Sequence, residues 1–214
     1  MKPRDLVFFD YFRSSASYRV RIAIALKGVG PQAVETIDLR AGEQSAPTYK
    51  AIQPSGLVPS FRFGGETFGQ SIALIEWLDS QYPDPRLIPA DPLEALAVRE
   101  AALTIACDIH PLNNLRVLKY LTGPLGVSEE AKLAWYRHWI RTGFGTLETL
   151  IAPHRRKGPF CLGANVSLAD LCLVPQVYNA RRFEVDLSPY PGVCAIDAHC
   201  GALPAFQAAH PREG

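Results

Sequence analysis

The sequence predicts an α/β domain followed by an all-helical domain, and three observations carry that prediction. Strand-like and helix-like runs alternate as far as Gln81, a cluster of prolines follows, and beyond it apolar residues recur only at helical spacing. The cluster, PDPRLIPADP, holds Pro83, Pro85, Pro89 and Pro92, which interrupt both periodicities and read as a stiff extended connector. The expected division is therefore residues 1–84, a linker over 85–92, and a helical domain over 93–214.

Each element has its own signal. Residues 6–12 (LVFFDYF) form a β-type run, and 18–27 (YRVRIAIALK) read as a helix closed by Gly28. Residues 33–40 (AVETIDLR) alternate as a half-buried strand does, and a short polar segment after them supplies a second helical piece. Two short β-runs, 57–63 and 66–68, flank Gly64-Gly65, where glycine supplies the positive φ of a tight hairpin. A helix from Ser71 sets Ile72, Ile75 and Leu78 on one face and ends before Pro83, which gives the order β-α-β-α-β-β-α. In the second half the expected helices are 93–120, broken or kinked at Pro111; 128–151; 167–183 with Pro175 inside; and a terminal piece over 193–209. Ser167-Leu168-Ala169-Asp170 fits a capping box with Val166 and Leu171 as its hydrophobic staple, a motif that serves folding and needs no ligand.

Composition limits the function classes. With 22 basic and 21 acidic residues the net charge is +1, so bulk electrostatics offer no hold on nucleic acid or a membrane surface, and any anion site must be local. The polar start at Met1-Lys2-Pro3-Arg4-Asp5 contains no signal-peptide core, and no apolar run nears the ~20 residues of a membrane span. The five cysteines, all from Cys107 onward, are odd in number and lack C-x-x-C spacing. That argues against zinc or a disulfide framework, so reduced thiols, a cytoplasmic protein and no metal are expected.

Chemistry concentrates at three junctions of the first domain. Residues 12–17 (FRSSAS) join the first strand to the first helix and leave unpaired N–H groups at the positive end of a helix dipole. A lone serine there is ordinarily an N-cap; with a thiol placed beside it, the hydroxyl and N–H groups would favour the thiolate. No cysteine precedes Cys107, so such a sulfur has to arrive on a ligand. Val58-Pro59 opens the third strand, and a proline there suggests a cis bond or an edge position, either of which leaves Val58 backbone groups for an extended peptide. Gln70-Ser71 opens the third helix as a second hydroxyl-bearing N-terminus. Together the three describe a pocket for a short peptide with a thiol and a free carboxylate.

At this point the chain resembles the zeta-class glutathione transferases, which include maleylacetoacetate and maleylpyruvate isomerases. The resemblance rests on SSASYRVRIA from Ser14, GLVP from Gly56, Gln70-Ser71, DIHPLNN from Asp108, ADLCLVPQV from Ala169 and RFEVDLSPYP from Arg182. It implies a thioredoxin-like N-terminal domain followed by an all-α C-terminal domain, glutathione as cofactor, and a homodimer. It places Ser14 against the glutathione sulfur, with Ser15 and Arg13 in the same catalytic turn. It pairs Val58 with the cysteinyl backbone, makes Pro59 cis, puts Gln70 and Ser71 on the γ-glutamyl end, and brings His110 and Asn114 to the cofactor. Many members have cysteine where this chain has Ala16, so a mechanism needing a protein thiol there is closed to it.

A borrowed thiolate isomerises a double bond conjugated to carbonyls by adding, allowing rotation, and leaving. The substrate keeps its carboxylates, for which Arg13, Arg116 and Arg182 are the candidate forks. The expected activity is glutathione-dependent isomerisation of a small acidic diketo acid, maleylacetoacetate or maleylpyruvate, to its fumaryl isomer. Conjugation or dehalogenation of small α-halo acids uses the same parts. A non-catalytic interaction module is the reading of another class, and it predicts loss of a serine turn that this chain retains.

Overall fold

A computed structural model describes residues 5–211; residues 1–4 and 212–214, the outer ends of the two expected domains, lie outside the described residues. The chain divides into two compact units. One runs to Leu87 and takes in the segment from Leu203 onward; the other is Ile88–Ala202. The C-terminal segment thus groups with the first unit, whereas the sequence reading assigned it to the helical domain.

The first unit is built on four strands, β1 (Val7–Asp10), β2 (Ala33–Thr36), β3 (Ser60–Phe63) and β4 (Glu66–Gly69), in the order β2-β1-β3-β4. β1 and β2 are parallel, and β3 is antiparallel to both β1 and β4. Helix α1 (Ser15–Lys27) connects β1 to β2, α2 (Pro47–Ile52) precedes β3, and α3 (Ser71–Gln81) follows β4. The apolar stretch over residues 6–9, which makes up most of β1, reflects burial on both faces, Phe8 and Phe9 being buried on opposite sides. Phe8 meets Phe61, which meets Trp77 of α3. Phe9 faces the opposite way onto Tyr49 of α2, in a cluster with Tyr11 and Val58. The hairpin turn uses Gly64 and Gly65 at φ 60° and 82°, as the glycine pair predicted.

β2 departs from expectation. All four residues are exposed, Val34 at 55%. As the sheet's edge strand it is covered on neither face, and the apolar positions that do pack, Ile37 and Leu39, lie just beyond it.

The proline-rich connector is anchored rather than free at its start. Lys27 pairs with Asp79 at 2.6 Å within the first unit, donates also to the Pro85 carbonyl, and the Leu87 N–H donates to the same Asp79 oxygen at 2.8 Å. A fourth helix of this unit, formed after Leu203 and described below, packs on α1.

The second unit is helical: α4 (Pro92–Asp108), α5 (Leu115–Thr122), α6 (Glu129–Ile151), α7 (Leu168–Arg182) and α8 (Pro191–Gly201). The terminal piece expected over 193–209 is two helices, α8 and α9 (Pro204–Ala209), and only α8 belongs here. α7 is buried along nearly its whole length, carries Pro175 inside it, and packs on α4 and α8. Its capping box forms: both Ser167 N–H and Oγ donate to Asp170 Oδ2 at 2.8 Å, and Cys161 N–H donates to Oδ1 at 2.8 Å. Burial raises the Asp170 carboxyl, and these donors pull the other way. Gly143 of α6 leaves room for Ile109, whose Cγ1 lies 2.2 Å from where a Cβ would stand.

Candidate functional site

The strand registers bring the three junctions of the first unit to one end of its sheet. Phe9 pairs with Ser60, and Ser60 with Gly69. The exit of β1, the entry of β3 and the exit of β4 are therefore side by side, and they carry respectively the serine turn, Val58-Pro59 and Gln70-Ser71.

Ser14 is the N-cap of α1: its Oγ accepts from Ser17 N–H at 3.2 Å, and its backbone N–H donates to Tyr11 O at 2.9 Å. One role of the hydroxyl is thus the ordinary cap, which leaves its own proton to donate elsewhere. The first turn of α1 has no acidic residue, so the positive end of its dipole is uncompensated. Ser15 is buried, and Arg13 lays its guanidinium over the Phe12 ring at 5.1 Å.

The turn is held from below by a residue that the sequence reading did not single out. Arg21 donates to Asp10 at 2.7 Å, to the Tyr11 and Phe12 carbonyls at 3.4 and 2.9 Å, and to Ala209 O of α9 at 3.0 Å. Two carbonyls of the strand-to-helix turn are thereby fixed to β1 and to the C-terminal helix. Nothing in the local sequence signals this, because the partners lie a strand and nearly the whole chain away.

Val58-Pro59 is a cis peptide. Among the described residues no backbone group pairs with the Val58 N–H or C=O, so both are available to an extended peptide. Tyr49 Oη steadies the approach, donating to Leu57 O at 2.9 Å beside Ser60 Oγ at 3.2 Å. Gln70 stands at φ 67°, a left-handed conformation unusual outside glycine, and gives α3 no side-chain cap. Ser71 follows it, buried, and accepts from Arg19 Nη1 at 3.3 Å. Gln44 Oε1, also in this unit, is buried without a partner.

Four further candidates lie in the second unit. His110 does not sit on a kinked long helix: α4 ends at Asp108, a 3-10 turn occupies Pro111–Asn113, and His110 falls in the break. Pro111 has no N–H to continue the helix, so the chain restarts as α5. His110 and Arg116 therefore stand on different elements. Asn114 is the N-cap of α5, accepting from Arg116 N–H at 3.1 Å, and Arg116 is exposed on the first turn. Arg182 ends α7 with its guanidinium over Tyr178 and Phe183, at 5.8 and 5.5 Å, and donates to Asn179 Oδ1 at 3.2 Å. Beside it the buried Tyr136 stacks on Phe183 at 3.8 Å, and burial pushes its phenol up against the opposing charge of Arg182.

Among the described residues no group of histidines, cysteines and carboxylates suits a metal ion, and no helix is long and apolar enough to cross a membrane. Residues 8–86 match the family model of the glutathione S-transferase N-terminal domain. A probable maleylacetoacetate isomerase of Vibrio cholerae is 48% identical over 97% of this chain and 96% of its own length. A maleylpyruvate isomerase described as a zeta-class bacterial glutathione S-transferase superposes with TM-score 0.92 at 45% identity, over 96% of both chains. The chain belongs to the zeta-class glutathione S-transferase family. A maleylacetoacetate isomerase of Methylobacterium extorquens, solved with malonate and glutathione, is 37% identical with TM-score 0.90, again over 96% of both chains. In zeta-class terms, the first unit is the thioredoxin-like domain and the second the all-helical one.

Proposed function

We propose that this zeta-class chain is a glutathione-dependent cis-trans isomerase acting on maleylacetoacetate or maleylpyruvate. The observation that carries the reading is the convergence at one sheet end of an uncompensated helix N-terminus with a free hydroxyl proton, an unpaired Val58 backbone and an uncapped second helix N-terminus. These are the needs of a tripeptide thiol: a thiolate stabiliser, a strand-like partner and a carboxylate seat. The chain brings no cysteine to the place, since Ala16 stands in the turn.

When bound, glutathione supplies a thiolate that adds to the conjugated double bond and leaves after rotation, restoring the cofactor with no net change in atoms. Ser14 donates its hydroxyl proton to the sulfur while Oγ keeps Ser17 N–H, and the α1 dipole favours the anion. Ser15 and Arg13 complete the turn. Val58 pairs with the cysteinyl backbone beside the cis Pro59, and Gln70 and Ser71 receive the γ-glutamyl end. His110 and Asn114 serve the cofactor's other end. Arg13, Arg116 and Arg182 hold the carboxylates of the diketo acid. The malonate bound with glutathione in the M. extorquens relative is a small dicarboxylate of the kind this assignment requires.

The decisive experiment incubates the purified protein with each diketo acid, with and without glutathione. Glutathione-dependent conversion of the cis to the trans isomer is the expected result, and its absence with both acids refutes the assignment. Arg182→Ala raises KM for the diacid more than it lowers kcat. We further infer a cytoplasmic homodimer. Its support is a row of exposed leucines on α4, Leu93 at 76%, Leu96 at 63% and Leu103, and, on the first unit, an apolar depression lined by Phe63, Phe68 and Trp77. Sedimentation should give twice the chain mass for the wild type and a monomer for Leu96→Glu.

A further inference from the structure

Three cations of α1 are largely buried, and two of them are fully occupied. Arg21 binds Asp10 and three carbonyls, and Lys27 binds Asp79 and the Pro85 carbonyl. Arg19 is the exception. Its side chain is 2% exposed, its Nη1 donates to Ser71 Oγ, and its Nε and Nη2 are buried with no partner. Among the described residues no carboxylate stands at ion-pair distance from it. A buried guanidinium that meets no anion is a charge without its counter-ion.

Its single hydrogen bond points to where the anion belongs. Ser71 opens α3, a helix of 11 residues with no side-chain cap and no acidic residue in its first turn. Gln70 before it is held at φ 67°, a strained backbone of the kind kept at ligand sites. Because Ser71 Oγ accepts from Arg19, the serine proton is directed away from the guanidinium, toward whatever docks at the helix end.

We propose that Arg19 is a built-in counter-charge for a carboxylate docked at the N-terminus of α3, acting through the Ser71 hydroxyl. The inference rests on the glutathione reading above, under which that carboxylate is the α-carboxylate of the γ-glutamyl residue. Arg19 is then a positioning residue: it fixes the Ser71 rotor and supplies the charge behind it. The protein without ligand carries the cost of a buried, under-partnered charge, and binding relieves it. Glutathione should therefore stabilise the fold by more than its direct contacts alone account for.

The signature is a pair of effects that a structural role does not produce together. The test compares glutathione with its analogue carrying a carboxamide in place of the γ-glutamyl α-carboxylate, by calorimetry and thermal unfolding, in the wild type, Arg19→Met and Arg19→Lys. The wild type should prefer glutathione over the carboxamide by on the order of 100-fold, and R19M should weaken glutathione about 10- to 100-fold and nearly erase that preference. Without ligand, R19M should unfold at the same temperature or higher, and its glutathione-induced rise should shrink. R19K should recover part of the preference, keeping the charge without the planar fork. Equal weakening of both ligands by R19M overturns the proposal, as does a lowered unfolding temperature without ligand and an intact preference. If R19M does not fold, R19Q carries the same comparison; failure of both neutral variants to fold also overturns it, because loss of an uncompensated charge should not cost the ligand-free fold. A wild type that binds glutathione without preferring it to the carboxamide refutes this inference alone, whereas one that binds neither refutes the glutathione reading as well.

Discussion

Ser14→Ala separates the two roles that the structure gives one hydroxyl. Oγ accepts from Ser17 N–H at 3.2 Å as a helix cap, while its proton is free for the sulfur of a bound thiol. Loss of the cap costs about 1 kcal/mol, which lowers the unfolding temperature of a chain this size by roughly 2–4 °C. Loss of a hydrogen bond to an anion costs about 1.5–3 kcal/mol, so the pKa of the bound thiol rises by about 1–2 units at 1.36 kcal/mol per unit. The sign follows from which form is stabilised. The hydroxyl favours the thiolate, so without it ionisation moves to higher pH, the acid limb of kcat/KM moves with it, and the rate falls about 10- to 100-fold below the new pKa and recovers above it. Ultraviolet titration of the thiolate in the glutathione complex, alongside the pH–rate profile and thermal unfolding, reads both effects. Ser14→Gly is the control, because glycine at an N-cap costs only a few tenths of a kcal/mol yet removes the proton donor entirely. A destabilised S14A with an unmoved thiol pKa would falsify the catalytic role and leave Ser14 a helix cap.

Other perturbations test the scaffold. Lys27→Met leaves the buried Asp79 without its cation, and should cost about 3–5 kcal/mol in urea unfolding, much of it recovered by Lys27→Met with Asp79→Leu; a double variant as unstable as the single one contradicts this. Asp170→Asn turns an amide N–H toward one of its three donors and should cost about 3 kcal/mol, with little change in glutathione affinity at constant temperature. Burial pushes the Cys161 and Cys200 thiols up, and Cys172 is buried with them, so alkylation of the native protein at about pH 8 should label the exposed Cys107 and spare those three until unfolding. Early labelling of all three, seen by mass spectrometry, would show that this core opens.

Much of the architecture was legible because its signals are local. Gly28 does close α1, with φ 60° and its N–H on Ala25 O. The capping box does start α7, and the hairpin does turn on Gly64-Gly65. Each depends on residues within one turn of chain. The errors arose where local pattern and environment disagreed. β2 alternates as a half-buried strand does, but an edge position left it uncovered. At Pro111, where the local pattern left a break or a kink open, the chain breaks: a 3-10 turn over Pro111–Asn113 separates α4 from α5.

What the chain's order of residues decided alone was the succession of elements, the absence of a protein thiol from the serine turn, and the three junctions where a peptide thiol has use. Which end of the sheet those junctions share was decided by strand register, a pairing of residues some fifty positions apart that no local propensity encodes. The tertiary structure also chose the fate of the α1 cations. Arg19 lies three and four residues before the buried Ile22 and Ala23, a charge on a core-facing stripe that sequence alone exposes as an anomaly. Only packing of α1 on α3 shows that it ends at Ser71 with no counter-ion, since burial and partnership are properties of neighbours in space.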